Sequence, residues 1–234
     1  MTTTLLKTCI LIPAYMEATR IKAVIEETLD YCPNVIVIDD GSADETDQIA
    51  KAAGAIVLDH VHNQGKGIAL QTGFDYAKEN GYDLAITLDA DGQHAPSDIP
   101  AFLKAYARTQ SPCFVGTRMD DVATMPRLRR FVNRFMSNLL SRVMGQYVPD
   151  TQCGYRLYHK SVFPTGPYDP TTRRFAAESE ILLRLSLEGK KIGSVPIQTI
   201  YGDEKSKINP VTDTFRFFRM VHRFKKIKKK TLSQ

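Results

Sequence analysis

The sequence predicts an α/β fold, a mostly parallel central sheet with helices on both faces, and three observations predict it. Short apolar runs alternate with helix-length amphipathic stretches, the spacing of strand–helix–strand units. The runs are apolar throughout rather than every second residue, as strands buried on both faces require. Finally, the runs end in clusters of polar or special-geometry residues, so one rim of the sheet collects the chemistry.

Each element follows from its residues. Cys9–Ile12 is a buried strand broken at Pro13, and Ile21, Val24, Ile25 and Leu29 then recur at helical spacing. Val35–Ile38 repeats the unit, ends in Asp39-Asp40-Gly41-Ser42 and leads to a helix near Asp44–Ala53. Ala55–Leu58 is a third strand and Gly67–Asn80 a third helix. Leu84–Leu88 and Pro96–Ala107 make the fourth pair, and Phe114-Val115 marks a fifth strand ending in Gly116-Thr117-Arg118. Farther on come an amphipathic helix over Arg127–Met144, a Gly/Tyr-rich segment, a helix near Ala177–Glu188 and a strand-like Ile192–Tyr201. A second amphipathic helix covers Thr214–Lys230.

The stretch Asp83–His94, DLAITLDADGQH, carries the most chemistry. Alternate residues of an extended strand point to one side, so Asp89 and Asp91 are expected to converge. With the Gln93 amide oxygen they form a partial, all-oxygen shell suited to Mg²⁺ or Mn²⁺. Asp-Ala-Asp-Gly is equally good turn chemistry, and the stretch alone leaves both readings open.

Composition bounds the rest. The chain has 234 residues, 43% hydrophobic and 24% charged, enough for one ordinary globular domain with an appendage. Its four cysteines, Cys9, Cys32, Cys113 and Cys153, have no paired short spacing, which argues against a zinc site or disulfide framework and fits a reducing compartment. Neither a signal peptide nor a membrane-spanning run is expected. The net charge of +5 is a tail property: Lys205–Lys230 holds ten Lys or Arg against Asp213 alone, leaving the remainder at −4.

Taken together, IPAYMEA, VIDDGSADET, NQGKGIAL, LDADGQH, GTR, DTQCGYRLY and VPIQTIYGDEKSKI resemble the family 2 glycosyltransferases of GT-A fold. The similarity is greatest to the polyprenyl-phosphate sugar transferases of the dolichyl-phosphate mannose synthase type, and it runs from about Thr8 to Pro210. It implies a catalytic domain over residues 1–210 with a basic amphipathic helix over 211–234. It also implies a UDP- or GDP-hexose donor on the rim, its base and ribose held by Pro13, Tyr15, Glu17, Ile38 and Asp40. Asp89, Ala90, Asp91 and Gln93 would form the metal and diphosphate loop, and Asn63, Gly65, Lys66 and Gly67 a cationic loop for phosphate or sugar. Two departures stand out. Met16 occupies a position usually Asn, and Gln198-Thr199-Ile200 stands where the family carries an Arg.

The acceptor sets the remaining chemistry. In an inverting displacement a hydroxyl acceptor needs a general base, whereas a phosphate is already ionised and needs cations. Arg118 and Lys207 match family positions for phosphate, and Arg130 and Arg134 are further candidates on the first amphipathic helix. Asp150 and Gln152 lie where the acceptor approaches; Asp150 or Glu180 is the expected base for a hydroxyl. Both long helices carry Phe-rich stripes opposite Arg and Lys, which suits either core packing or an anionic membrane surface. No nucleic-acid module accompanies the basic tail.

These features predict a metal-dependent, inverting hexosyltransferase acting on polyprenyl phosphate, cytoplasmic and peripheral on the membrane. The rival expectations are a transferase acting on a saccharide or lipid hydroxyl, and a non-catalytic nucleotide-sugar or membrane-binding module.

Overall fold

The computed structural model describes residues 6–118, 127–164, 177–198, 200 and 210–231. Its centre is a seven-stranded sheet formed by β1 (Thr8–Ala14), β2 (Val35–Asp39), β3 (Ile56–Asp59), β4 (Leu84–Thr87), β5 (Cys113–Thr117), β6 (Arg156–His159) and β7 (Ile192–Pro196). The spatial order is β3-β2-β1-β4-β6-β5-β7. All neighbours are parallel except β6, which runs antiparallel between β4 and β5.

The helices are α1 (Ile21–Leu29), α2 (Thr46–Ala52), α3 (Lys66–Glu79), α4 (Ile99–Thr109), α5 (Arg127–Met144), α6 (Ala177–Leu187) and α7 (Pro210–Thr231). Every residue of β2 and of β4 is buried, which explains why both are apolar up to their last residues, Asp39 and Thr87. Ile21, Val24, Ile25 and Thr28 form the inward face of α1, one turn apart. At one edge of the sheet β3 is half-exposed and carries Asp59, paired with Lys51 at 2.9 Å; a charged edge discourages further strand pairing.

Four expectations change. The Gly/Tyr-rich segment contains β6, which the sequence reading left without structure. Its Arg156 is fully buried, and its Nε, Nη1 and Nη2 donate to the carbonyls of Cys153, Glu178 and Thr151 at 2.8, 2.6 and 2.9 Å. Strand β4 ends at Thr87, so Asp89 and Asp91 stand in the turn beyond it, and turn geometry rather than strand alternation places them. Helix α7 is not an appendage: Phe217, Met220, Val221 and Phe224 are buried and join the same core as the sheet. Strand β7 is shorter than the Ile192–Tyr201 expected, and Thr199 and Tyr201 lie outside the described residues.

All four cysteines are buried and unpaired. Among the described residues no helix is long and apolar enough to cross a membrane.

Candidate active site

The rim is assembled by three loops that lock onto one another. Beyond β2, the Asp39 carboxylate accepts from both the hydroxyl and the backbone N–H of Ser42, a turn-forming role. Asp40, 3% exposed, accepts from the backbone N–H groups of Gln64 and Gly65 at 2.9 and 2.7 Å and pairs with His60 Nδ1 at 2.8 Å. His60 Nε2 in turn meets Thr72 Oγ1 of α3 at 2.9 Å. Gly41 takes φ +71°, and a Cβ there would lie 2.5 Å from the His62 backbone; glycine lets the two loops touch. Asp40, expected to hold ribose or base, thus anchors the loop that presents Lys66.

At the exit of β1, Tyr15 is exposed and Glu17 is buried and ion-paired with Arg20 at 3.3 Å. Pro13 is half-buried and pairs in register with Ile38. The Ile38 side chain is fully buried, and a Cβ at Gly73 would meet it, so Ile38 can reach a donor only through its backbone. Met16 has φ +57°, the left-handed region that Asn enters more easily than Met, and its N–H is held by Ser42 Oγ at 2.9 Å. The departure from Asn therefore bears on the backbone as well as on hydrogen bonding.

Lys66, the first residue of α3, reaches across the rim. Its ammonium lies 2.6 Å from Asp89 and 3.2 Å from Glu178. Burial works against its charge, but the two carboxylates outweigh this and raise its pKa. For Asp89, burial favours the neutral acid; the Lys66 ammonium overrides it and holds the carboxyl below the usual range. Asp91 goes the other way, raised by burial and then by the Asp89 charge, while its Oδ1 accepts from the Gln93 N–H at 3.0 Å. His94 is buried and packs against Tyr155, the rings tilted by 30° with centroids 5.1 Å apart. Burial drives its pKa down to about 4, so the neutral ring can accept the Asp89 N–H at Nδ1, 3.3 Å away.

Two hard-oxygen carboxylates, one strained by the other's charge, fit a divalent cation. Among the described residues no group of three or more His, Cys, Asp or Glu surrounds one point, so further ligands must come from amide, water or substrate oxygens. Asp89, Asp91 and Gln93 are the residues that would hold it.

On the acceptor side, Arg118 and Asp150 form a bidentate pair at 2.7 and 2.9 Å, with Asp150 fully buried. The Gln152 N–H also turns to Asp150, at 3.3 Å, and Thr151 is tied to Ser137 of α5 through its N–H at 2.9 Å. Glu180, the other expected base, is fully buried and bound to Arg184 and Arg223 at 2.5 and 3.3 Å, joining α6 to α7. Both carboxylates are thus engaged by arginines. The acid that α6 does send into the site is Glu178, which the sequence reading missed. Arg130 is half-buried and Arg134 exposed on α5; Lys207 lies outside the described residues.

Comparisons with known proteins identify the family and the fold. The sequence model of Glycosyl transferase family 2 matches residues 9–166. The chain is 33% identical over 213 residues to the UDP-N-acetylglucosamine–dolichyl-phosphate N-acetylglucosaminyltransferase of Methanococcus voltae, covering 82% of this chain and 85% of that one. It is 29% identical over 199 residues to the undecaprenyl-phosphate mannosyltransferase of Micrococcus luteus, covering 80% and 81%. Glucosyl-3-phosphoglycerate synthase from Mycobacterium tuberculosis, crystallised with Mn²⁺, UDP and phosphoglyceric acid, shares the fold at TM-score 0.70 with 17% identity, covering 95% of this chain and 78% of that one. The family match and the mostly parallel sheet with its polar rim define a glycosyltransferase of GT-A architecture. The chain belongs to glycosyl transferase family 2.

Proposed function

We propose that this chain is an inverting glycosyltransferase that moves a hexose from a UDP- or GDP-hexose to a polyprenyl phosphate at a membrane surface, with Mg²⁺ or Mn²⁺ as cofactor. Asp150 is closed onto Arg118 and Glu180 onto Arg184 and Arg223, which favours anchoring over proton abstraction for both, while Glu178 remains a third acid beside Lys66. A phosphate acceptor asks for no such base. The observation that carries the acceptor class is the similarity to relatives named for dolichyl and undecaprenyl phosphates.

In this reading Asp89, Asp91 and Gln93 would hold a divalent cation, which would supply positive charge to a leaving diphosphate. Pro13, Tyr15, Glu17, Ala90 and the backbone of Ile38 border the nucleotide, and Asp40 sets the loop that aims Lys66 at the phosphates. Arg118 attracts the acceptor phosphate while Asp150 and Gln152 fix its orientation, with Arg130, Arg134 and Lys207 as outer cations. The protein lies peripherally on the cytoplasmic face, with Phe131, Val132 and Phe135 of α5, all exposed, meeting lipid.

The test is transfer of labelled hexose from UDP-glucose, UDP-N-acetylglucosamine or GDP-mannose to a short polyprenyl phosphate. The expected product is a lipid labile to mild acid, lost on chelation and in Asp91→Ala. An acid-stable glycoside formed only on a hydroxyl lipid would replace this reading, and nucleotide binding without any turnover would favour a non-catalytic module.

A further inference from the structure

Glu178 stands in the first turn of α6 and is 8% exposed. Its Oε2 pairs with the Lys66 ammonium at 3.2 Å. Its Oε1 is buried and has no hydrogen-bond partner among the described residues. A buried carboxylate oxygen without a donor is costly, and native proteins keep few of them. The position is not slack, because the Glu178 carbonyl is gripped by Arg156 Nη1 at 2.6 Å and Arg156 is itself fully buried. Beside the cluster, Gly154 leaves room that no other residue would. A Cβ there would sit 2.8 Å from Asp89 Oδ2 and 2.9 Å from Lys66 Nζ. The fold thus holds an acceptor oxygen rigidly next to the diphosphate loop and supplies it with no donor.

A hexose offers hydroxyl donors, and in a nucleotide-sugar the hexose follows directly on the diphosphate. We propose that Glu178 recognises the transferred sugar: Oε1 accepts a hydrogen bond from one hexose hydroxyl while Oε2 keeps Lys66 beside the diphosphate. This rests on the donor reading above and deepens it, since it assigns hexose selectivity to the start of α6. A site built to accept a hydroxyl proton discriminates strongly against an analogue lacking that hydroxyl.

Calorimetry on the full chain in Mg²⁺ tests it, with UDP against UDP-glucose and UDP-N-acetylglucosamine, and GDP against GDP-mannose. For the pair that wild type binds, Glu178→Ala and Glu178→Gln are expected to keep nucleoside diphosphate affinity within about threefold and to lose about tenfold or more for the nucleotide-sugar, the size of a charge-assisted hydrogen bond. Monodeoxy analogues of that donor then locate the contact. One analogue should bind wild type about tenfold more weakly than the parent sugar and show no such deficit in Glu178→Ala, the coupling expected of a direct contact. Equal loss for diphosphate and nucleotide-sugar would reduce Glu178 to a support for Lys66 and overturn the proposal. So would unchanged binding with a collapsed kcat, which would make it a base. If wild type binds neither pair, the donor reading itself fails and the sugar contact goes with it. Glu178→Gln, matched in size, serves where the alanine variant does not fold.

Discussion

Helices α5 and α7 have nearly the same sequence character and different surroundings. Each sets phenylalanines on one stripe and arginines or lysines opposite. In α7 the stripe is covered: Phe217, Met220, Val221 and Phe224 are buried, with Phe224 in the seam between α5, α6 and α7 beside Val143, Leu183 and Leu187. In α5 only the C-terminal half is covered, by way of Leu140, Val143 and Met144, while Phe131 is 70% and Phe135 51% exposed. Periodicity declares that a face is apolar; it does not say what lies on it. The tail helix is core along Phe217, Met220, Val221 and Phe224, while the first helix leaves Phe131 and Phe135 uncovered.

The largest expected effect comes from breaking the covered stripe. Phe224→Asp removes a buried ring, worth about 3–5 kcal/mol on truncation alone, and puts a carboxylate in its place. Loss of a cooperative thermal transition, or a fall of more than about 10 °C, is expected by circular dichroism. An unchanged melting curve would mean that α7 does not need its seam. Deleting the whole helix is a poor test of membrane binding for the same reason, because it uncovers the core as well as removing charge.

The mirror experiment is Phe131→Ser with Phe135→Ser. Both rings are already in water, so stability should change by no more than about 0.5 kcal/mol per site. Partitioning onto vesicles of phosphatidylglycerol and phosphatidylcholine should weaken at least tenfold, since each ring inserted in lipid contributes about 1.5–3 kcal/mol. Cosedimentation that does not change would remove α5 from the interface.

How much of this was legible beforehand depends on the range of the interactions involved. Strands β1 to β5 and the paired Asp89 and Asp91 could be read because the apolar runs and their polar ends are contiguous in sequence. β6 could not: it is four residues long, starts with a charged Arg156, and exists through pairing with β4 and β5 on either side. The only local hint was the run of Tyr155, Leu157 and Tyr158 around that arginine. Which acid of α6 faces the site was not legible either. Glu178 and Glu180 are two apart on a helix, so at 3.6 residues per turn their side chains point about 200° apart, and which one meets the site depends on how α6 is rotated. Likewise, nothing in GTR or DTQ announces that Arg118 and Asp150 satisfy each other, since 32 residues separate them.

A smaller effect belongs to the polar side of α7, where Arg219, His222, Lys225 and Lys226 are exposed. If that face meets anionic lipid, Lys225→Glu with Lys226→Glu should weaken vesicle binding by several-fold to tenfold for each position at low salt, from about 1 kcal/mol per basic residue near the surface. The difference from wild type should shrink as salt rises, whereas the loss caused by the α5 substitutions should not, and the two helices would then divide the work into charge and insertion. Equal salt dependence of both sets would undo that division.

The finest test joins the two helices. Lys228 of α7 places its Nζ 2.8 Å from the Val143 carbonyl and 3.3 Å from that of Met144, the last two residues of α5. These are C-terminal carbonyls with no later turn to bond them, and a cation there also answers the negative end of the helix dipole. Lys228→Met keeps the aliphatic stem and removes only the charge, so a loss of about 0.3–1 kcal/mol is expected in urea unfolding, with an unchanged m-value. Vesicle binding should fall no further than the loss of one exposed cation allows. A much larger drop in binding than in stability would mean that Lys228 touches lipid rather than α5. A drop in stability alone would make the covered helix the fixture that holds the C-terminal end of the uncovered one in place.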